Sequence, residues 1–225
     1  MLRVFYGGTF DPVHNGHLAI ARAAHDALGV PVRLMPAADP PHRAPPGATA
    51  AQRAHLLDLA TWDIPGLCVD RRELDRAARE PTSRSYTIDT LRELRSELGN
   101  VVPIALLIGA DSLLGLPTWR AWTALLDLTH FVVADRPGSG LDSALPPVLA
   151  TALEGRWTDH PDDLARVAAG RVFRLHQPLQ PESATEIRRR IATGEAWRQL
   201  VPARVAEAIA DERLYASRAA DTGPL

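Results

Sequence analysis

The stretch "YGGTFDPVHNGHLAIARAAHDAL", residues 6–28, decides how this chain is read. It holds two adjacent glycines, a threonine and two histidines three residues apart, followed by an alanine-rich run of helical period. A strand here turns into a helix. A helix entered after Gly8 aims several backbone amides at one spot, and the helix dipole adds partial positive charge there, so an anion would sit well. On a first helical turn His14 and His17 share a face and can donate to one group. Gly16 between them leaves room for a ligand to approach the backbone.

Further strand-like runs follow this first one, "LRVFY" (2–6), at 31–36, 66–70, 103–109, 130–135 and 171–176. Segments of helical period lie between most of them, at 16–28, 49–61, 86–98, 120–127 and 184–193. Strands alternating with helices imply crossover connections and a parallel sheet. Several runs are apolar throughout, as strands covered on both faces are. The pattern predicts a Rossmann-like, doubly wound α/β fold with flanking helices. Two more helical segments, 195–199 and 203–214, predict a small C-terminal helical part that either packs on the domain or meets a second subunit, making a homo-oligomer possible. The length suits one domain over 1–215, with 216–225 as a flexible tail. The proline-rich 36–47 stretch reads as a lid-like loop, and 138–170 as a partly helical excursion before the sheet resumes.

Composition narrows the function. A formal net charge of -2 gives no general reason to seek nucleic acid or membrane, so any anion site is local. No run is long enough to span a bilayer and the N-terminus lacks the apolar core of a signal peptide, which predicts a cytoplasmic protein. The single cysteine, Cys68, reads as a core filler. All 25 basic residues are arginine, which excludes a Walker-type phosphate loop and a pyridoxal phosphate Schiff base, since both need lysine.

Four readings of the histidine pair compete: two solvated surface histidines, a metal pair, a dinucleotide fingerprint, and phosphate chemistry. A third metal ligand at a convincing offset is missing for zinc, and "GGTFDP" does not contain GxGxxG. The fourth reading leads further. "GGTFDPVHNGH" resembles the HxGH signature of the nucleotidyltransferase superfamily, and "SATEIRRRI" (183–191) resembles its second signature, SxTxxR. Within that superfamily, "PPHR" (40–43), "SYTIDTL" (85–91), "IGADSLLGLPTW" (108–119) and "RPG" (136–138) resemble the bacterial nicotinate-nucleotide adenylyltransferases, in the same order along the chain from about residue 3 to about 215.

The resemblance implies an activity: ATP and nicotinate mononucleotide give deamido-NAD and pyrophosphate, with Mg²⁺ held mainly by the ATP phosphates rather than by protein ligands. It implies roles as well. Gly8, Thr9 and Phe10 would cradle the reacting phosphates, while His14, His17 and Arg188 stabilise charge. Ser183 and Thr185 would open a helix toward the triphosphate, although hydroxyls there are also simply good caps. Gly109, Asp111 and Arg136 would lie on the ATP side. Tyr86, Thr87 and Trp119 would surround the pyridine ring, with Trp119 stacking on it, and His42 and Arg43 would meet the nucleotide phosphate. Arg189 and Arg190 read as solvated helix charge. Two rivals stay open: the same chemistry on nicotinamide mononucleotide or phosphopantetheine, and a non-catalytic nucleotide-sensing module.

Overall fold

The computed structural model describes residues 1–38, 47–80, 85–135, 141, 145–176 and 182–216. Seven strands form one sheet: β1 (Arg3–Gly8), β2 (Val32–Pro36), β3 (Leu67–Val69), β4 (Ile104–Gly109), β5 (His130–Asp135), β6 (Trp157–Thr158) and β7 (Val172–His176). Their order is β3-β2-β1-β4-β5-β7-β6, and every pairing is parallel. Strand order therefore reverses at β1, which lies between β2 and β4. A crevice opens at the carboxyl ends on either side of such a reversal.

Ten helices cover the sheet: α1 (Asn15–Leu28), α2 (Ala50–Thr61), α3 (Arg72–Arg79), α4 (Thr87–Leu98), α5 (Ala110–Leu114), α6 (Trp122–Leu128), α7 (Pro147–Leu153), α8 (Asp163–Arg166), α9 (Ala184–Thr193) and α10 (Ala203–Asp211) among the described residues. Strand side chains alternate between two cores. Val4, Tyr6, Leu34, Leu107 and Val132 face one core with Ala21 and Ala24 of α1, Leu56 and Leu57 of α2, Ile187 of α9 and Ile209 of α10. Phe5, Met35, Leu106, Phe131 and Val133 face the other with Leu91 of α4, Leu113 of α5, Leu125 of α6 and Leu149 of α7. Burial on both faces explains why these strands are apolar at consecutive positions. The predicted doubly wound sheet is the one observed, and α9 and α10 supply the C-terminal helical part.

The departures from expectation have local causes. Helix α3 is not among the helical segments that the sequence predicts: its eight residues, RELDRAAR, carry five charges and no apolar stripe to betray a helix. It is started instead by the Asp70 carboxylate, which accepts the Arg72 N–H at 3.1 Å. Short α5 follows β4 without a break, and two-residue β6, inside the 138–170 excursion, is too short to show a period. Residues 198–200 form a single 3-10 turn where 195–199 had read as helix. Cys68 is not a core filler; it is exposed, because β3 is the sheet edge and Leu67 and Val69 turn toward the core while Cys68, between them, takes the opposite face. The lid-like stretch falls largely on 39–46 and the tail on 217–225, both outside the described residues.

Candidate active site

The crevice is built first from the β1–α1 junction. Phe10 takes a positive φ of 51° and turns its ring into the core, where it packs edge-on against Tyr6 at 5.5 Å and His17 at 4.9 Å. That ring lies against Gly8, where a Cβ would come within 2.9 Å of it, so glycine is required. Phe10 thus anchors the turn by its side chain, and the backbone of Gly8–Phe10 is the segment expected to serve as the cradle.

His14 is the N-cap residue of α1 and His17 lies in its first turn. Their rings stack with centroids 3.7 Å apart, and His17 Nδ1 accepts the His14 backbone N–H at 3.3 Å, which fixes the His17 ring. His14 is buried, and its Nδ1 has no hydrogen-bond partner among the described residues. A buried ring nitrogen with no partner is costly in a folded chain, which marks the position as one shaped for something else. Burial also pushes the His14 pKa down from 6.5 to about 4, so the imidazole is neutral at neutral pH.

The two signatures meet at Asp11. Arg188 Nη1 donates to the Asp11 carbonyl at 2.6 Å and lies 3.6 Å from its carboxylate, although the residues are 177 apart in the chain. The same carboxylate accepts the backbone N–H groups of Gly47 at 2.8 Å and Ala48 at 3.1 Å, and the Tyr215 hydroxyl at 2.8 Å. Three distant segments of the chain therefore converge on one buried acid. Its charge and lone pairs are matched by donors, as a buried carboxylate requires. The turn is tied further by Arg53 of α2, fully buried, which donates to the Thr9 carbonyl at 2.6 Å and the Ala38 carbonyl at 3.0 Å.

Ser183 is the N-cap of α9 and accepts the Glu186 N–H at 3.2 Å, so its hydroxyl caps the helix. Thr185 Oγ1 accepts from Arg188 Nη2 at 3.4 Å. Arg189 and Arg190 pair with Glu186 at 2.8 Å on the surface, as expected of solvated helix charge. Across the crevice, Gly109 ends β4, and a Cβ added there would meet open space. Exposed Asp111 follows in the first turn of α5. Arg136, His42 and Arg43 lie outside the described residues.

Residues 5–190 match the cytidylyltransferase-like family model. A curated protein of Stenotrophomonas maltophilia named "Probable nicotinate-nucleotide adenylyltransferase" is 60% identical over 216 residues, 96% of this chain and 97% of that one. This chain belongs to the nicotinate-nucleotide adenylyltransferase family. A Xylella fastidiosa protein of the same name is 50% identical over 214 residues, covering 95% of this chain and 96% of its own. The fold is also that of the nicotinic acid mononucleotide adenylyltransferase of Plasmodium falciparum, solved in complex with NaAD, at a TM-score of 0.71 over 95% of this chain and 97% of that one, with 12% identity.

In this adenylyltransferase, the residues expected around the acceptor ring gather at the same end of the sheet. Tyr86 is the N-cap residue of α4 and Thr87 its first residue, while Trp119 ends the 3-10 turn 116–118 that follows α5. Tyr86 and Trp119 pack half-buried against the same core, and the Arg120 guanidinium sits 4.8 Å over the Tyr86 ring. Sequence reasoning passed over Asp11, Arg53 and Tyr215. Arg53 left a signal, since it shares the inward face of α2 with Leu56, Leu57 and Ala60. Asp11 and Tyr215 left none, because each has meaning only through the other.

Proposed function

We propose that this chain transfers the adenylyl group of ATP to nicotinate mononucleotide, giving deamido-NAD and pyrophosphate. The observation that carries the reading is that Arg188, from the second signature, bonds Asp11 in the same β1–α1 turn that carries the stacked His14 and His17. The attacking group is a phosphate monoester oxygen, largely ionised near neutral pH, so neither a general base nor an enzyme nucleophile is needed. It attacks the α-phosphorus in line, the new P–O bond forms, and the bond to pyrophosphate breaks. What remains for the protein is positioning and charge stabilisation. The cradle amides of Gly8, Thr9 and Phe10 hold the phosphates. The imidazoles of His14 and His17 donate to oxygens gaining charge, and Arg188 supplies a fixed cation beside them. Gly109, Asp111 and Arg136 hold the nucleoside part, and His42 and Arg43 the acceptor phosphate.

Neutral His14 carries one ring N–H and presents it without first losing a proton, while the arriving polyanion favours its charged form. Mg²⁺ would accompany ATP. Asp11, the buried acid of the turn, is already matched by donors, and the ion would be held mainly by the phosphate oxygens. No described helix is long and apolar enough to cross a membrane, and we place the reaction in the cytoplasm.

The deciding experiment is pyrophosphate release by the purified protein with ATP and Mg²⁺, comparing nicotinate mononucleotide, nicotinamide mononucleotide and phosphopantetheine, with the product identified by mass. Rapid release with the nicotinate substrate alone is expected. Equal turnover of the nicotinamide form would overturn the acceptor assignment, and no release with any of the three would overturn the enzyme assignment.

A further inference from the structure

The entry of α4 is held by a closed ring of hydrogen bonds from α3. Arg76 Nη2 donates to Ser85 Oγ at 2.9 Å and to Thr90 Oγ1 at 2.7 Å. Those two hydroxyls donate in turn to the two oxygens of Glu73, Ser85 at 2.9 Å and Thr90 at 2.8 Å. The direction of every bond is determined, because a guanidinium can only donate and each hydroxyl has one proton to give. Arg76 Nη1 also pairs with Glu93 at 2.8 Å, one helical turn beyond Thr90. Glu73 is buried, and burial pushes its carboxyl up while the two hydroxyls and Arg76 oppose that shift. A buried acid, a guanidinium and two hydroxyls matched this closely amount to a built network, whereas surface ion pairs elsewhere on α3 and α4 are ordinary.

The ring encloses Tyr86 and Thr87 in sequence, between Ser85 on one side and Thr90 on the other. We infer that Glu73 and Arg76 are positioning residues for the acceptor: by fixing Ser85 and Thr90 they set where Tyr86, Thr87 and the first amides of α4 meet the pyridine ring and its carboxylate. The inference rests on the reading that Tyr86, Thr87 and Trp119 surround that ring. Neither Glu73 nor Arg76 touches substrate in this account. They act through the helix entry, as outer groups that orient the groups in contact commonly do.

The test is steady-state kinetics with each substrate varied in turn, on Glu73→Gln, Ser85→Ala and the pair Thr90→Val and Thr90→Ser, with melting temperature recorded for all. In Glu73→Gln the amide cannot accept on both sides, so one hydroxyl loses its acceptor; Ser85→Ala removes one arm without touching the buried acid. Expected is a rise of about tenfold in the KM for nicotinate mononucleotide, with the KM for ATP changed less than about twofold. Thr90→Val should share the rise, and Thr90→Ser, which keeps the hydroxyl, should restore the wild-type value. Equal rises in both KM values, or lowered melting temperature with both KM values unchanged, would overturn the inference. Trp119→Ala separates the levels: if it raises the acceptor KM and the ring variants do not, the positioning role fails and the pocket stands. If Trp119→Ala leaves the acceptor KM unchanged, pocket and positioning role fall together.

Discussion

The two ends of the sheet each bury a histidine and set an arginine beside it, and they use them differently. At the amino ends, His130 opens β5 with both ring nitrogens engaged: Nε2–H donates to the Val167 carbonyl at 2.9 Å and Nδ1 accepts the Arg171 N–H at 3.0 Å. Beside it Arg95 donates to the carbonyls of Leu128, Gly99, Val102 and Ala168, closing the loops that lead into β4, β5 and β7. At the carboxyl ends, His14 keeps a buried Nδ1 with no partner among the described residues, and Arg188 lies along the edge of the cradle rather than beneath it. Burial alone does not separate a scaffold group from a working one. The completeness of the hydrogen bonding does, because a scaffold has no reason to leave a buried polar atom unmatched.

If that contrast is right, damage at the two ends should register in different measurements. The largest effect is expected for His17→Ala at the carboxyl end, where turnover should fall by roughly 10²–10³-fold while nucleotide binding weakens far less. Equal losses in turnover and binding would favour a nucleotide-sensing module. Arg95→Ala at the other end should lower stability in urea by about 3 kcal/mol, since a buried guanidinium that bonds four carbonyls is lost and leaves a void, with turnover of the folded protein kept. A fall in turnover matching that of His17→Ala would erase the distinction between the ends.

Acid sharpens it. The folded-state pKa of His14, about 4, lies below the unfolded value of 6.5, so the unfolded chain takes up this proton first. Its contribution to stability is complete above about pH 6.5 and is lost as pH falls toward 4, amounting to roughly 3 kcal/mol at the bottom of that window. His130 is lowered in the same direction, chiefly by burial, with its bond to the Val167 carbonyl opposing and Arg95 and Arg171 adding to the shift. Saturating pyrophosphate should separate the pair: in an NMR titration the His14 pKa rises and that of His130 stays put. Movement of both, or of neither, would break the comparison. The smallest effect belongs to Tyr215→Phe, which removes one of several donors to Asp11; about 1 kcal/mol of stability and a rise of a few-fold in the KM for ATP are expected from thermal melts and kinetics.

What could be read beforehand follows the same division. The parallel sheet was legible because strands buried on both faces must be apolar at consecutive positions, and the turn after β1 because glycine and histidine types recur where a backbone cradle needs them. Helix α3 escaped because it is held by charge pairs and by Glu73, not by an apolar stripe. The histidine pair stood out by local spacing, and Arg188 only through the resemblance of its segment to the second signature. Asp11 and Tyr215 were not, since their bond spans 204 residues and neither neighbourhood advertises it. His130 could not be told from a surface histidine until the Val167 carbonyl and Arg171 amide were seen around it.

The Tyr215–Asp11 bond also bears on how the protein is made. The cradle leaves the ribosome first and its tether last; at about 5–20 residues per second, the 204 residues between them take roughly 10–40 s to synthesise. Through that interval the nascent chain carries Phe10, His14 and His17 with the Asp11 carboxylate still lacking its phenol. Arg188 arrives only near the end. In the proposed site, ATP therefore has no finished place to occupy until synthesis is almost over, and a chain cut short before Tyr215 would keep every strand of the sheet while lacking the phenol that completes the donors around Asp11.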